Sequence, residues 1–175
     1  MQAFYLYLIR VAIIAISVSL FFVKTSFAQA PQSYPRVVGY FSIANPLATL
    51  SGGKITGNFS KVYTVNFPFG LNLLKSDKFG VSFEITPGVR TENNISKVSS
   101  VAFSPGGIFR LKNNFAVVQR VAFETSGRFG FTTILNKIVV KGKDASLFLA
   151  VPFATRFGNN IPVSLGTSIQ MGLFF

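Results

Sequence analysis

Residues 161–175, IPVSLGTSIQMGLFF, decide the fold. Ile161, Val163, Leu165, Ile169, Met171, Leu173 and Phe175 share one parity; Pro162, Ser164, Gly166, Ser168, Gln170 and Gly172 share the other. Only Thr167 and Phe174 break the alternation. Successive side chains of a strand point to opposite faces, so this segment presents one apolar face and one face of small or polar groups.

Working back along the chain, the same period of two recurs. Phe79, Val81, Phe83, Ile85, Pro87 and Val89 stand opposite Gly80, Ser82, Glu84, Thr86, Gly88 and Arg90. Tyr63 to Leu73, Ser100 to Leu111, Phe115 to Glu124 and Leu147 to Arg156 repeat it, and Val37 to Ala48 is a weaker first instance. From Val37 onward no stretch of ten or more residues carries apolar positions at helical spacing. Seven segments (37–48, 59–74, 79–90, 100–111, 115–124, 146–156 and 161–175) therefore read as strands. Tight turns are expected at 75–78, 112–114 and 157–160, and longer polar links at 49–58, 91–99 and roughly 125–145. Strands of about ten residues with short turns on one side and longer loops on the other suit an all-β, antiparallel, up-and-down transmembrane β-barrel. An even strand number is the rule for bacterial single-chain barrels, so an eighth strand is sought. Residues 128–140 are the candidate, because Phe129 and Phe131 alternate with Gly130 and Thr132 before the pattern decays.

The composition decides which solvent the apolar face meets. Of 175 residues, 49% are hydrophobic and only 13% charged, which excludes a disordered basic tail. A soluble barrel turns its polar face to water and should be rich there in Lys and Glu. Here that face is mostly Gly, Ser, Ala, Thr and Asn, while the apolar face carries most of the 21 Phe, too many rings for the lumen of a small barrel. Lipid outside and small polar groups inside accounts for both facts. A soluble periplasmic barrel or sandwich is the alternative.

The first thirty residues read as an address. Arg10 precedes an apolar or small-polar run from Val11 to Val23, followed by Lys24 and small residues, the layout of a secretory signal peptide. Ser26 and Ala28 fit positions −3 and −1, so cleavage is expected after Ala28; an uncleaved N-terminal anchor is the alternative. The expected organisation is a signal peptide at 1–28, a short periplasmic segment at 29–36 and a barrel at 37–175. Cleavage would remove two cations and no acid, lowering the formal charge from +12 to +10.

The chain resembles the small outer-membrane β-barrel proteins of Gram-negative bacteria, with an OmpA/OmpX-like architecture and phrases similar to exported barrels of the Bacteroidota type. The resemblance rests on the signal-like leader, the amphipathic strands and a last strand ending in Ile169, Met171, Leu173 and Phe175. It implies that these four residues form the signal read by the outer-membrane barrel assembly machinery, and that the protein resides in the outer membrane.

The absence of His and Cys removes imidazole and thiolate metal sites, cysteine nucleophiles and Ser-His-Asp arrangements. The catalytic routes that the resemblance would bring depend on His, so no enzymatic activity is expected, and no cofactor. Ser51-Gly52-Gly53-Lys54 lacks the phosphate-loop pattern and reads as a turn. Glu84 and Glu124 fall on the inward parity and could in principle work as an acid/base pair. Arg90, Arg110, Arg120 and Arg156 share that face, so a lumenal ion-pair network filling a small barrel is the stronger expectation. The basic balance invites a nucleic-acid partner, which export argues against. Outer-membrane lipid is the expected surrounding instead, with Lys54, Lys97, Lys137, Lys141 and Lys143 as contacts for lipopolysaccharide phosphates, or simply a solvated loop surface.

Overall fold

The computed structural model describes residues 33–59 and 62–175. The proposed signal peptide lies outside the described residues. Ten strands follow in chain order: β1 (Arg36–Ser51), β2 (Lys54–Gly57), β3 (Val62–Asn66), β4 (Phe69–Leu74), β5 (Phe79–Glu92), β6 (Ile95–Arg110), β7 (Phe115–Glu124), β8 (Phe129–Lys141), β9 (Ser146–Phe157) and β10 (Ser164–Phe174). Each pairs antiparallel with its neighbours, and β10 returns to β1 in the register Tyr40↔Phe174 to Ser51↔Ser164. The sheet is thus a closed barrel. β2, β3 and β4 are pieces of one wall position, interrupted near Phe67 and Pro68, so the ring has eight walls. Backbone bonds bridge the interruption, from Ser42 N–H to the Pro68 carbonyl at 2.8 Å and from Phe67 N–H to the Pro87 carbonyl at 2.9 Å.

The eighth wall is β8, where 128–140 was the candidate. Pattern decay there has a local cause: Ile134, Asn136 and Ile138 turn inward, and the register shifts between Ile138 and Val140. Two of the expected long links are instead hairpins. β1 and β2 meet across Gly52-Gly53, and β5 and β6 across Asn93-Asn94, with positive φ at all four residues (55°, 75°, 49° and 62°) as two-residue hairpin turns require. The link expected at 125–145 is mostly β8.

Strand direction sorts the connections onto two rims. The near rim holds Ser33, the turns at 75–78, 111–114 and 142–145, and Phe175; the far rim holds 52–53, 93–94, 125–128 and 158–163. The faces sort as sharply. Phe83, Phe103, Phe123, Phe131 and Phe153 point outward, each about half exposed, whereas Ser42, Ser82, Ser104, Ala122 and Gln170 are buried inside. The arrangement is inverted relative to a water-soluble barrel, because in hydrocarbon the outer surface must be apolar and every backbone group must find its partner within the wall. Eleven residues of β10 at about 3.3 Å each, tilted about 45°, rise about 26 Å, matching the apolar band of a transmembrane barrel.

Candidate functional site

The lumen is filled in layers. Nearest the near rim is an apolar layer: Phe148 and Phe174 stack with ring centroids 4.3 Å apart, Tyr40 meets both edge-on, and Leu74, Ile108, Val118 and Ile134 complete it. Above it lies the one deeply buried ion pair among the described residues. Arg120 Nη1 donates to Glu84 Oε2 at 2.8 Å, with 4% and 9% of the two side chains exposed. Tyr40 Oη donates to the same oxygen at 2.8 Å, while Arg120 Nη2 donates to Tyr40 Oη and to Ser82 Oγ, both at 2.9 Å. Thr86 Oγ1 donates to Glu84 Oε1 at 3.0 Å, so both carboxylate oxygens are engaged. A second chain of bonds runs from Gln170 Nε2 to Ser42 Oγ at 2.8 Å and on to the Pro68 carbonyl at 2.9 Å, tying β10 to β1 and to the residue just before β4 across the closing seam.

Local sequence makes room for this layer. At Gly106 a Cβ would stand 2.1 Å from the Gln119 carbonyl and 2.8 Å from Arg120 Cγ. Arg120 can lie flat against the wall only because its cross-strand partner Gly106 has no side chain.

Toward the far rim, Arg156 Nε donates to Glu124 Oε1 at 2.6 Å in a partly exposed pair, and Ser126 Oγ caps Glu124 Oε2 at 3.0 Å. Arg128, which sequence reading did not single out, gathers the Arg156 carbonyl at 3.1 Å and Ser164 Oγ at 3.0 Å. The charged residues expected in the lumen sort into separate groups. Arg120–Glu84 and Arg156–Glu124 are separate pairs. Arg90 pairs with Glu92 at the exposed end of β5, and Arg110 reaches the Tyr34 hydroxyl at 3.2 Å at the near rim, where Tyr34 donates to Asp77 at 2.5 Å. Residues four or more apart on strands of this length occupy different heights, and a shared face does not bring them together. Tyr40 and Ser82 were missed as members, although their inward parity beside Glu84 and Arg120 was readable.

The five lysines divide between the two rims. Lys54 lies on β2 and Lys97 on β6 at the far rim; Lys137 and Lys141 lie on β8 and Lys143 in the turn after it, at the near rim. No single leaflet can meet all five. Ile169, Met171, Leu173 and Phe175 share the outward apolar face of the last wall, and Phe175 exchanges backbone bonds with Gly39 at 2.9 and 3.0 Å.

Chemically, the central arrangement neutralises a buried carboxylate. Ser82 lies against a guanidinium and not against a base, and Glu84 is saturated by Arg120, Tyr40 and Thr86. Among these side chains remains a cavity of about 20 Å³, lined by Tyr40, Asn72, Arg120, Asn136, Phe148 and Gln170, among others. That is room for about one water.

No known family model matches the chain, and no curated protein matches it. Among solved structures, it is similar to a chain described under "De novo design of transmembrane beta-barrels", with 11% identity and TM-score 0.46, covering 83% of this chain and 98% of the other. It is also similar to the solution NMR structure of the de novo designed TMB2.3, with 15% identity and TM-score 0.45, covering 83% and 97%.

Proposed function

We propose that this chain is an integral barrel of the outer membrane of a Gram-negative cell, exported by a signal peptide cut after Ala28, with a structural or envelope-interaction role and no enzymatic chemistry. The observation that carries this reading is the pairing of an apolar, Phe-rich exterior with a lumen packed by side chains at the levels of Phe148 and Arg120. An eight-walled barrel is just wide enough for its interior side chains, so the exterior and the rims are the surfaces left for interaction. Lipid surrounds the walls, the assembly machinery reads the last strand through Ile169, Met171, Leu173 and Phe175, and nucleic acid is not a partner. The two competing roles are a small-solute channel and a soluble periplasmic barrel holding a hydrophobic ligand, and the close packing around a cavity of about 20 Å³ beside Arg120 and Phe148 favours neither. Ligand pockets commonly run to about 300–1,000 Å³.

Cell fractionation with heat-modifiable migration on gels tests the reading, followed by planar-bilayer recording of the purified protein. The expected result is recovery in the detergent-soluble outer-membrane fraction and no conductance steps. Recovery in the soluble periplasm overturns the membrane assignment, and reproducible single-channel steps overturn the non-conducting one.

A further inference from the structure

One lysine stands where a transmembrane barrel should be apolar. On β8, Phe129, Phe131 and Leu135 face outward, and Lys137 continues that parity. A cation on the lipid face is costly at the bilayer midplane and nearly free at the interface, which places Lys137 near the interface, with Val139 and Val140 the exposed apolar residues between it and Lys141. Its ammonium lies over the ring of its cross-strand partner Phe115, 4.3 Å from the centroid, with the stem along the wall. Four residues further along, about 9 Å closer to the edge for a tilted strand, the same sector reaches the near rim. There Lys141, Lys143 and Lys112 are exposed in or beside neighbouring turns, with Asp144 the acid in the 142–145 turn.

None of these four lysines is in an ion pair among the described residues. The three ion pairs lie elsewhere: one in the lumen and two toward the far rim. The near-rim sector of β7 and β8 is therefore a cluster of unneutralised cations beside an interfacial aromatic ring, at the level of lipid headgroups. We propose that this sector binds anionic glycerophospholipid headgroups, with Lys137 and Lys141 meeting the phosphate and Lys112 and Lys143 supplying the surrounding positive field. The proposal rests on the membrane reading above. It assigns Lys137, Lys141 and Lys143 to phospholipid in place of lipopolysaccharide phosphates. Each cation near an anionic membrane surface favours association by about fivefold.

The chain contains no Trp, so one can be introduced as a local reporter. The full chain carrying Leu135→Trp, two residues from Lys137 on the outward face, is folded into phosphatidylcholine vesicles containing phosphatidylglycerol. Quenching by brominated phosphatidylglycerol is compared with quenching by brominated phosphatidylcholine. A preference of at least about fivefold for the anionic lipid is expected. It should fall to near equality when Lys112→Gln, Lys137→Gln, Lys141→Gln and Lys143→Gln are combined. Phe129→Trp, on the same strand at the far rim, should report no preference. Equal quenching at position 135, a preference that survives the four substitutions, or the same preference at position 129 overturns the proposal. Displacement of the brominated phosphatidylglycerol by an equal mole fraction of lipid A overturns the choice of phospholipid. Failure to fold into vesicles, read as loss of heat-modifiable migration, instead overturns the membrane reading and the lipid site with it.

Discussion

The two layers of the lumen solve one packing problem by opposite chemistry. Next to the near rim, Phe148, Phe174, Ile108, Val118 and Ile134 fill the barrel as an apolar core would. Directly above, Arg120, Glu84, Ser82 and Thr86 fill it with a hydrogen-bonded ion pair. Tyr40 belongs to both, its ring packed on Phe148 and Phe174 and its hydroxyl bonded to Glu84. The apolar layer gains by exclusion of water and tolerates small shifts, because dispersion contacts are many and non-directional. The ionic layer depends on direction. A guanidinium and a carboxylate taken out of water are stabilised only while each retains its partners. A membrane barrel's inward face therefore need not be polar throughout, provided that its buried charges keep their partners.

The largest effect should come from breaking the ionic layer on one side. Arg120→Ala leaves Glu84 buried without its counter-charge and is expected to cost about 3–5 kcal/mol in the equilibrium unfolding free energy measured by urea titration in lipid vesicles. Phe148→Ala makes the matching cut in the apolar layer, with an expected loss of about 3–5 kcal/mol from lost contacts and the cavity left behind. If Arg120→Ala proves nearly neutral while Phe148→Ala does not, the ionic layer is a passive filler and the comparison fails. Gly106→Ala should follow, at about 1–3 kcal/mol, because the added methyl strikes the wall and the stem of Arg120. A loss that disappears when Gly106→Ala is combined with Arg120→Ala would locate the clash on that side chain; an unchanged loss would locate it on the backbone. The smallest effect is expected from Arg90→Ala at the far rim, where both partners are about half exposed. Its cost should stay under about 1 kcal/mol and shrink further in high salt.

The alternation of residues 161–175 carried strand type, facing and the need for closure, and the same reading located seven walls and pointed to the eighth at 128–140. Its breaks carried information as well. Phe174, out of step in the last strand, and Phe148, on the polar parity of its segment, are the two rings that stack in the lumen. Ile134 and Ile138 blurred β8 for the same reason. What alternation could not give was height. Arg90, Arg110, Arg120 and Arg156 share an inward reading, yet only Arg120 and Arg156 meet glutamates within the lumen, because cross-strand register sets which residues stand level. The five lysines show the same gap, since a rim is assigned by strand direction and not by the polarity of a link.

The amino-acid sequence by itself determined that this chain forms strands and that they suit a barrel with its apolar face outward, since both follow from a period of two and the side chains that occupy it. Only the tertiary structure decided which charges meet, how the lumen is filled and which lysines share a rim. Those depend on the stagger between strands distant in the chain, such as Tyr40 with Arg120 and Ser42 with Gln170, and no local pattern encodes that stagger.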